Sequence, residues 1–101
     1  MAMIPEIVPE GITISVLQAR VASLFSSVDA THGPGPIFLS LVEEIGELAS
    51  AVKLGSQAKV REELADSLIW LLSLAHLYGI DAGEAIEATL RDPTKRHAWE
   101  R

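Results

Sequence analysis

The sequence predicts an all-α fold, a bundle of four helices. Two observations lead to this fold class. Apolar residues recur at helical spacing in four successive segments, and capping residues, glycine or proline stand between these segments. In addition, no stretch of useful length alternates apolar and polar residues, as a half-buried β-strand would. The 101 residues are the length of one domain.

The N-terminal third of the chain is predicted to contain one helix between two irregular segments. Residues 1–12 form an irregular lead-in, because two prolines and a glycine oppose regular structure. The first helix follows a cap at Thr13 or Ser15 and runs to about Ser27. Residues 29–36 are predicted to be a loop, because they end in the sequence Gly-Pro-Gly-Pro.

Two helices are predicted in the middle of the chain. The second helix covers residues 37–54, and Gly55 provides a left-handed end for it. Ser56 caps the third helix, which covers residues 58–78. Only the short segment around Ser56 separates the two helices, so we expect them to pack as antiparallel neighbours.

The fourth helix completes the predicted domain. It covers residues 82–91, with Asp81 as its N-cap and Pro93 beyond its end. Residues 13–101 thus form one helical domain with a basic C-terminal tail. Residues 91–101 carry a net charge of +2, whereas the remainder of the chain carries −8.

The third helix carries apolar residues on two opposite sides. Trp70, Leu74 and Leu77 lie on one side. The other side is formed by Leu64, Leu68, Leu71, Leu72 and Ala75. A helix that is apolar on both sides must be covered on both sides, and three other short helices can hardly do this. We therefore expect homo-oligomerisation to complete the bundle, the alternative being a central buried helix in a monomer.

Composition and charge exclude several classes of function. The chain has no cysteine, so it contains neither a disulfide framework nor a thiolate metal site nor a thiol nucleophile. Its net charge of −6 opposes binding to a nucleic-acid polymer. The longest apolar stretch is far shorter than a membrane span, and no targeting signal is recognisable. We therefore expect a cytoplasmic protein with neither a membrane nor a nucleic-acid polymer as partner.

Four acidic residues are paired at helical spacing on the second and third helices. Glu44 and Glu47 are three residues apart, as are Glu63 and Asp66, so each pair projects from one helix face. Four carboxylates that converge between neighbouring helices repel one another unless a cation neutralises them. Mg²⁺ prefers oxygen ligands of this kind, so the pattern is compatible with a magnesium site. The alternative is a solvated acidic surface.

An aromatic residue accompanies the acidic pairs. Trp70 shares a helix face with Glu63 and Asp66 and lies one turn beyond Asp66. Its ring could stack on the base of a bound molecule, or it could belong to the core or an interface. Glu43 and Glu62 point away from the faces that carry the pairs.

These residues form a motif. The segment Glu44-Ile-Gly-Glu47 is followed after 15 residues by Glu63-Leu-Ala-Asp66, and an apolar run follows. This arrangement resembles the MazG-like all-α nucleoside triphosphate pyrophosphohydrolases, whose signature is E-x-x-E followed by E-x-x-D. The resemblance covers about residues 13–97.

The resemblance implies a function and a set of site residues. Glu44, Glu47, Glu63 and Asp66 would be catalytic and would bind Mg²⁺, which Mn²⁺ could replace. The enzyme would hydrolyse the α–β linkage of an NTP or dNTP to a nucleoside monophosphate and pyrophosphate. Members of this family form homodimers or dimers of dimers.

Basic residues are candidates for the triphosphate. Lys95 and Arg96 in the tail are expected to bind phosphate oxygens, and Lys53 is a further candidate. The lysine and asparagine that many members carry near the last helix fall on Thr89 and Pro93 here. Two alternatives therefore accompany the enzyme hypothesis: a catalytically degenerate nucleotide- or metal-binding regulatory module, and a structural helical dimerisation domain.

Overall fold

This computed structural model describes residues 11–96, except for the side chain of Arg96, and this range contains five α-helices. They are α1 Ile14–His32, α2 Pro34–Leu54, α3 Gln57–Leu77, α4 Ala82–Arg91 and α5 Pro93–Arg96. No strand occurs in this range, so the all-α prediction is confirmed. Most of the predicted lead-in and the end of the basic tail lie outside the described residues.

Capping side chains determine where three of the helices begin, as predicted. Each cap has an extended backbone, and its side-chain oxygen accepts a hydrogen bond from the first turn of the helix. The backbone N–H groups of Val16, Lys59 and Glu84 donate to Thr13, Ser56 and Asp81 at 3.1, 3.3 and 3.0 Å.

The predicted loop over residues 29–36 is wrong. Helix α1 continues to His32 and α2 begins at Pro34, so Gly33 alone separates them. The first N–H groups of a helix have no partner within it, so prolines at positions 34 and 36 remove no helical hydrogen bond. Gly33 has a φ of 81°, which favours glycine, and its N–H donates to the Asp29 carbonyl at 2.8 Å.

The prediction of four helices is also corrected, because α5 forms a fifth helix of one turn. Pro93 occupies its first position, where the missing N–H has no cost. The Asp92 carboxylate accepts hydrogen bonds from the backbone N–H of Thr94 at 2.9 Å and from its hydroxyl at 2.7 Å. These bonds favour a new helix start at the beginning of the predicted basic tail.

The buried side of α3 is polar. Helix α3 packs against α1 and α2, while α4 packs against α1. The residues that α3 buries are Glu63, Ser67 and Ser73. Three of its leucines are exposed, namely Leu64, Leu68 and Leu71 at 47%, 52% and 44%, whereas Leu72, Leu74 and Leu77 are half-buried. The buried apolar residues of the described chain are few: Val21, Ile37, Leu41 and Ala51. None of the described helices is long and apolar enough to cross a membrane.

Gln18 connects α1 to the start of α4. Its side-chain amide donates to the Ile80 carbonyl at 2.6 Å, and its amide oxygen accepts from the Ala82 N–H at 2.8 Å. Beside it, the Ser15 hydroxyl donates to the Asp81 carboxylate at 2.7 Å, which holds the pKa of Asp81 below its usual range. This junction fixes the short α4 on a chain that has little apolar core.

Removing the Gln18 amide is expected to destabilise the protein. In Gln18→Ala the Ile80 carbonyl and the Ala82 N–H lose their buried partner, so the free energy of unfolding should fall by about 1–3 kcal/mol. Urea denaturation followed by circular dichroism measures the change. Thr31→Val serves as the control, because it removes only an exposed hydroxyl and should alter stability by less than about 0.5 kcal/mol. Equal changes in the free energy of unfolding for the two variants would contradict the role of Gln18 in stabilising the junction between α1 and α4.

Candidate metal centre

Three carboxylates converge between α2 and α3. Glu44 comes from the middle of α2, and Glu63 and Asp66 come from successive turns of α3. One oxygen from each carboxylate lies within 4.8 Å of the other two. The connection from Gly55 to Ser56 returns α3 alongside α2, so residues far apart in the sequence meet at one level of the helix pair.

The donor set fits a hard divalent cation. Oε2 of Glu44 and Oε2 of Glu63 are buried and accept no hydrogen bond from any described residue. Buried polar atoms of this kind are costly unless a ligand compensates them. Two oxygens on opposite sides of a Mg²⁺ ion lie about 4.2 Å apart, so small side-chain rotations would bring these carboxylates to coordination distance.

The carboxylates also perturb one another's ionisation. Burial raises the pKa of Glu63, which is 7% exposed, and the neighbouring Glu44 carboxyl raises it further. The pKa of Glu47 is raised as well, chiefly by the neighbouring Glu63 carboxyl and its negative charge. Protonation is therefore one way to relieve the crowding, and a cation is another.

Glu47 lies beside the three-carboxylate group without belonging to it. Its side chain is exposed, and it interacts with both Glu63 and Glu44. Lys59, which sequence reasoning missed, lies near enough to lower the pKa of Glu47 in part. Lys59 precedes Glu63 by one helical turn, so the i, i+4 spacing was a signal that could have identified it.

The predicted aromatic residue lines two cavities next to the carboxylates. Trp70 borders a cavity of about 280 Å³ that also reaches Asp66. It further borders a cavity of about 150 Å³ beside His32, which lies at the end of α1 and not in a loop. Asp29 lines both cavities and was missed because its segment was taken for a loop. Its position three turns from Gln18, on the same buried face, was the available signal.

The two lysines predicted to bind phosphate are exposed. Lys53 is exposed in the last turn of α2, and Lys95 is exposed on α5. Neither forms an ion pair within the described part of the chain. The Arg96 side chain lies outside the described residues. Glu62 forms an exposed ion pair with Lys59 at 3.5 Å.

Two comparisons with known proteins found similar sequences. Residues 34–100, more than half of the chain, match the model of a family described as the MazG nucleotide pyrophosphohydrolase domain. A dATP/dGTP diphosphohydrolase of Cyanophage S-2L is 40% identical over 78 residues, which cover 77% of this chain and 70% of that protein. No solved structure matches the chain.

The raised pKa of Glu63 predicts that the stability of the protein depends on pH when a chelator keeps the site free of metal. Between the ordinary value of 4.5 and the raised value, the folded chain binds more protons than the unfolded chain. Stability therefore falls as the pH rises through this window. Glu63→Gln removes this loss, so its Tm in EDTA should exceed that of the wild type at neutral pH, and the difference should shrink toward pH 4.5. Differential scanning calorimetry over a pH series measures this.

The matched control for this measurement is Glu43→Gln. It removes an exposed carboxylate from the same helix pair, so its Tm difference from the wild type should not vary in this way with pH. A lower Tm for Glu63→Gln at neutral pH would contradict repulsion within the carboxylate group.

Proposed function

The chain belongs to the MazG nucleotide pyrophosphohydrolase family, and on this premise we propose that it hydrolyses the α–β phosphate linkage of a nucleoside triphosphate in a Mg²⁺-dependent reaction. The observation that carries the proposal is the group formed by Glu44, Glu63 and Asp66. Its two buried carboxylate oxygens without a partner call for a cation, and a cation there would attract a triphosphate.

The proposed mechanism assigns a separate part to each carboxylate. Glu44, Glu63 and Asp66 hold Mg²⁺ or Mn²⁺. When bound, the cation neutralises phosphate charge and makes water easier to deprotonate. Glu47, with its exposed carboxylate and raised pKa, accepts the proton of the attacking water. The water oxygen forms a bond to the α-phosphorus, the bridging P–O bond to the β-phosphate breaks, and pyrophosphate leaves.

The cavity beside the carboxylates and the cyanophage relative both support a class of substrate. Trp70 offers an aromatic surface one turn from Asp66, where the base of a nucleotide could stack while its phosphates lie at the carboxylates. The name of the cyanophage relative supports a purine deoxynucleoside triphosphate. Lys53, Lys95 and Arg96 are retained in the proposal as phosphate-binding residues.

Homo-oligomerisation also belongs to the proposal. Leu64, Leu68 and Leu71 of α3 are exposed, and α2, which packs against α3, also exposes apolar residues, namely Phe38, Leu39, Val42 and Ile45. Soluble monomers rarely expose large apolar patches, so two neighbouring helices with this many exposed apolar residues favour an interface. A second copy of the chain would cover these residues in a homodimer, and two homodimers could form a dimer of dimers.

The catalytic prediction concerns pyrophosphate release. With Mg²⁺, the wild type should convert a dNTP to the monophosphate and pyrophosphate, without orthophosphate. Glu44→Gln and Asp66→Asn should each lower kcat/KM about 100-fold or more. Glu47→Gln should lower kcat while the Mg²⁺ concentration for half-maximal activity stays unchanged, since Glu47 is outside the three-carboxylate group. Ion chromatography of the products over a dNTP panel measures these effects.

Glu43→Gln is the control for this experiment, because it removes a neighbouring exposed carboxylate and should retain full activity. Stabilisation of the wild type by nucleotide without any cleavage would favour the regulatory binding module. The absence of any response to Mg²⁺ and nucleotide would favour the structural dimerisation domain.

The oligomer prediction concerns the leucine side of α3. Leu68→Glu places a charge in the proposed interface, so sedimentation velocity should show a shift from dimer or tetramer toward monomer. Ala88→Glu, at an exposed position on α4, should leave the sedimentation coefficient unchanged. A monomeric wild type at micromolar concentration would contradict the proposed assembly.

A further inference from the structure

Asp29 is a buried carboxylate that the proposed mechanism does not use. It lies on α1 and is 6% exposed. Within the described residues, its carboxylate takes part in no ion pair and accepts no side-chain or backbone hydrogen bond. Asp29 lines two cavities, so a ligand in them that donates hydrogen bonds would find a free acceptor there.

The surroundings of Asp29 indicate what kind of ligand could reach it. Asp29 and Trp70 together line both cavities, and the larger cavity also contains Asp66. Asp66 and Trp70 are one helical turn apart, on the order of 6 Å between their Cβ atoms. A molecule that has phosphates at the carboxylates and a ring at Trp70 would therefore direct a ring edge toward Asp29.

We propose that Asp29 determines base specificity by accepting hydrogen bonds from the Watson–Crick edge of guanine. The inference rests on the proposed function and narrows its substrate class. Guanine carries two adjacent donors on this edge, the N1–H and the 2-amino group, which match the two oxygens of a carboxylate. Adenine presents the N1 lone pair beside its 6-amino group, and this lone pair would face the negative charge. The carboxylate thus selects dGTP over dATP.

The first test exchanges the carboxylate for an amide of the same shape. Asp29→Asn gives the side chain one acceptor and one donor, a pair that suits adenine. The ratio of kcat/KM for dGTP to that for dATP should therefore fall at least about tenfold. Glu84→Gln, which removes an exposed carboxylate on α4, should leave this ratio unchanged. A purely structural role of Asp29 would change both kcat/KM values alike, and an unchanged ratio overturns the inference.

A second test uses only the wild-type protein and does not depend on the folding of a variant. Deoxyinosine triphosphate keeps the 6-oxo group and the N1–H but lacks the 2-amino donor. Its kcat/KM should be about tenfold below that of dGTP, because one of the two hydrogen bonds to Asp29 is lost. Equal values for the two substrates would show that the 2-amino group is not recognised and would overturn the inference.

Failure of the proposed function would give a different result. In that case the wild type cleaves none of the nucleotides, and affinities from isothermal titration calorimetry decide instead. Tighter binding of dGTP than of dATP, with the difference removed in Asp29→Asn, supports the role of Asp29. Equal affinities of the wild type for the two nucleotides overturn it.

Discussion

The packing of carboxylates against one another between α2 and α3 is the interaction on which the other features of the structure depend. Glu63 is buried beside Glu44, and burial together with neighbouring carboxyl groups raises its pKa. Such an arrangement is unfavourable unless a proton or a cation neutralises it. It also gives α3 a polar buried side, while Leu64, Leu68 and Leu71 of this helix are exposed. The candidate site and the exposed leucines of α3 thus have a common origin.

Much of this arrangement could be predicted from local rules. Hydrogen bonds within one helical turn determine the caps at Thr13, Ser56 and Asp81, and the residues that form them are adjacent in the sequence. The carboxylates could be predicted because i, i+3 spacing places each pair on one face. Helical spacing could not separate Glu47 from the three-carboxylate group, because that separation depends on how α2 rotates against α3.

The errors arose where one residue type serves two structural purposes. Proline after glycine is typical of a loop, but it is also typical of the first turn of a helix, where no internal hydrogen bond is lost. Residues 34–36 were assigned to a loop for this reason, although they begin α2. The same ambiguity concealed Asp29, since the buried face that it shares with Gln18 exists only if α1 continues to His32. The proposal that Lys95 and Arg96 bind phosphate rests on their position in the sequence and their charge. Neither property carries information about where α5 lies.

The single-residue connection at Gly33 has a consequence for how a ligand would be held. A flexible linker between α1 and α2 would let the two helices move independently, and binding would then have to restrict that motion. Because only Gly33 separates them, α1, which carries Asp29, and α2, which carries Glu44, belong to one preorganised unit. The distance from the aromatic cavity to the carboxylates is then set before binding. The protein therefore favours ligands of matching length, and it loses little conformational entropy when one binds.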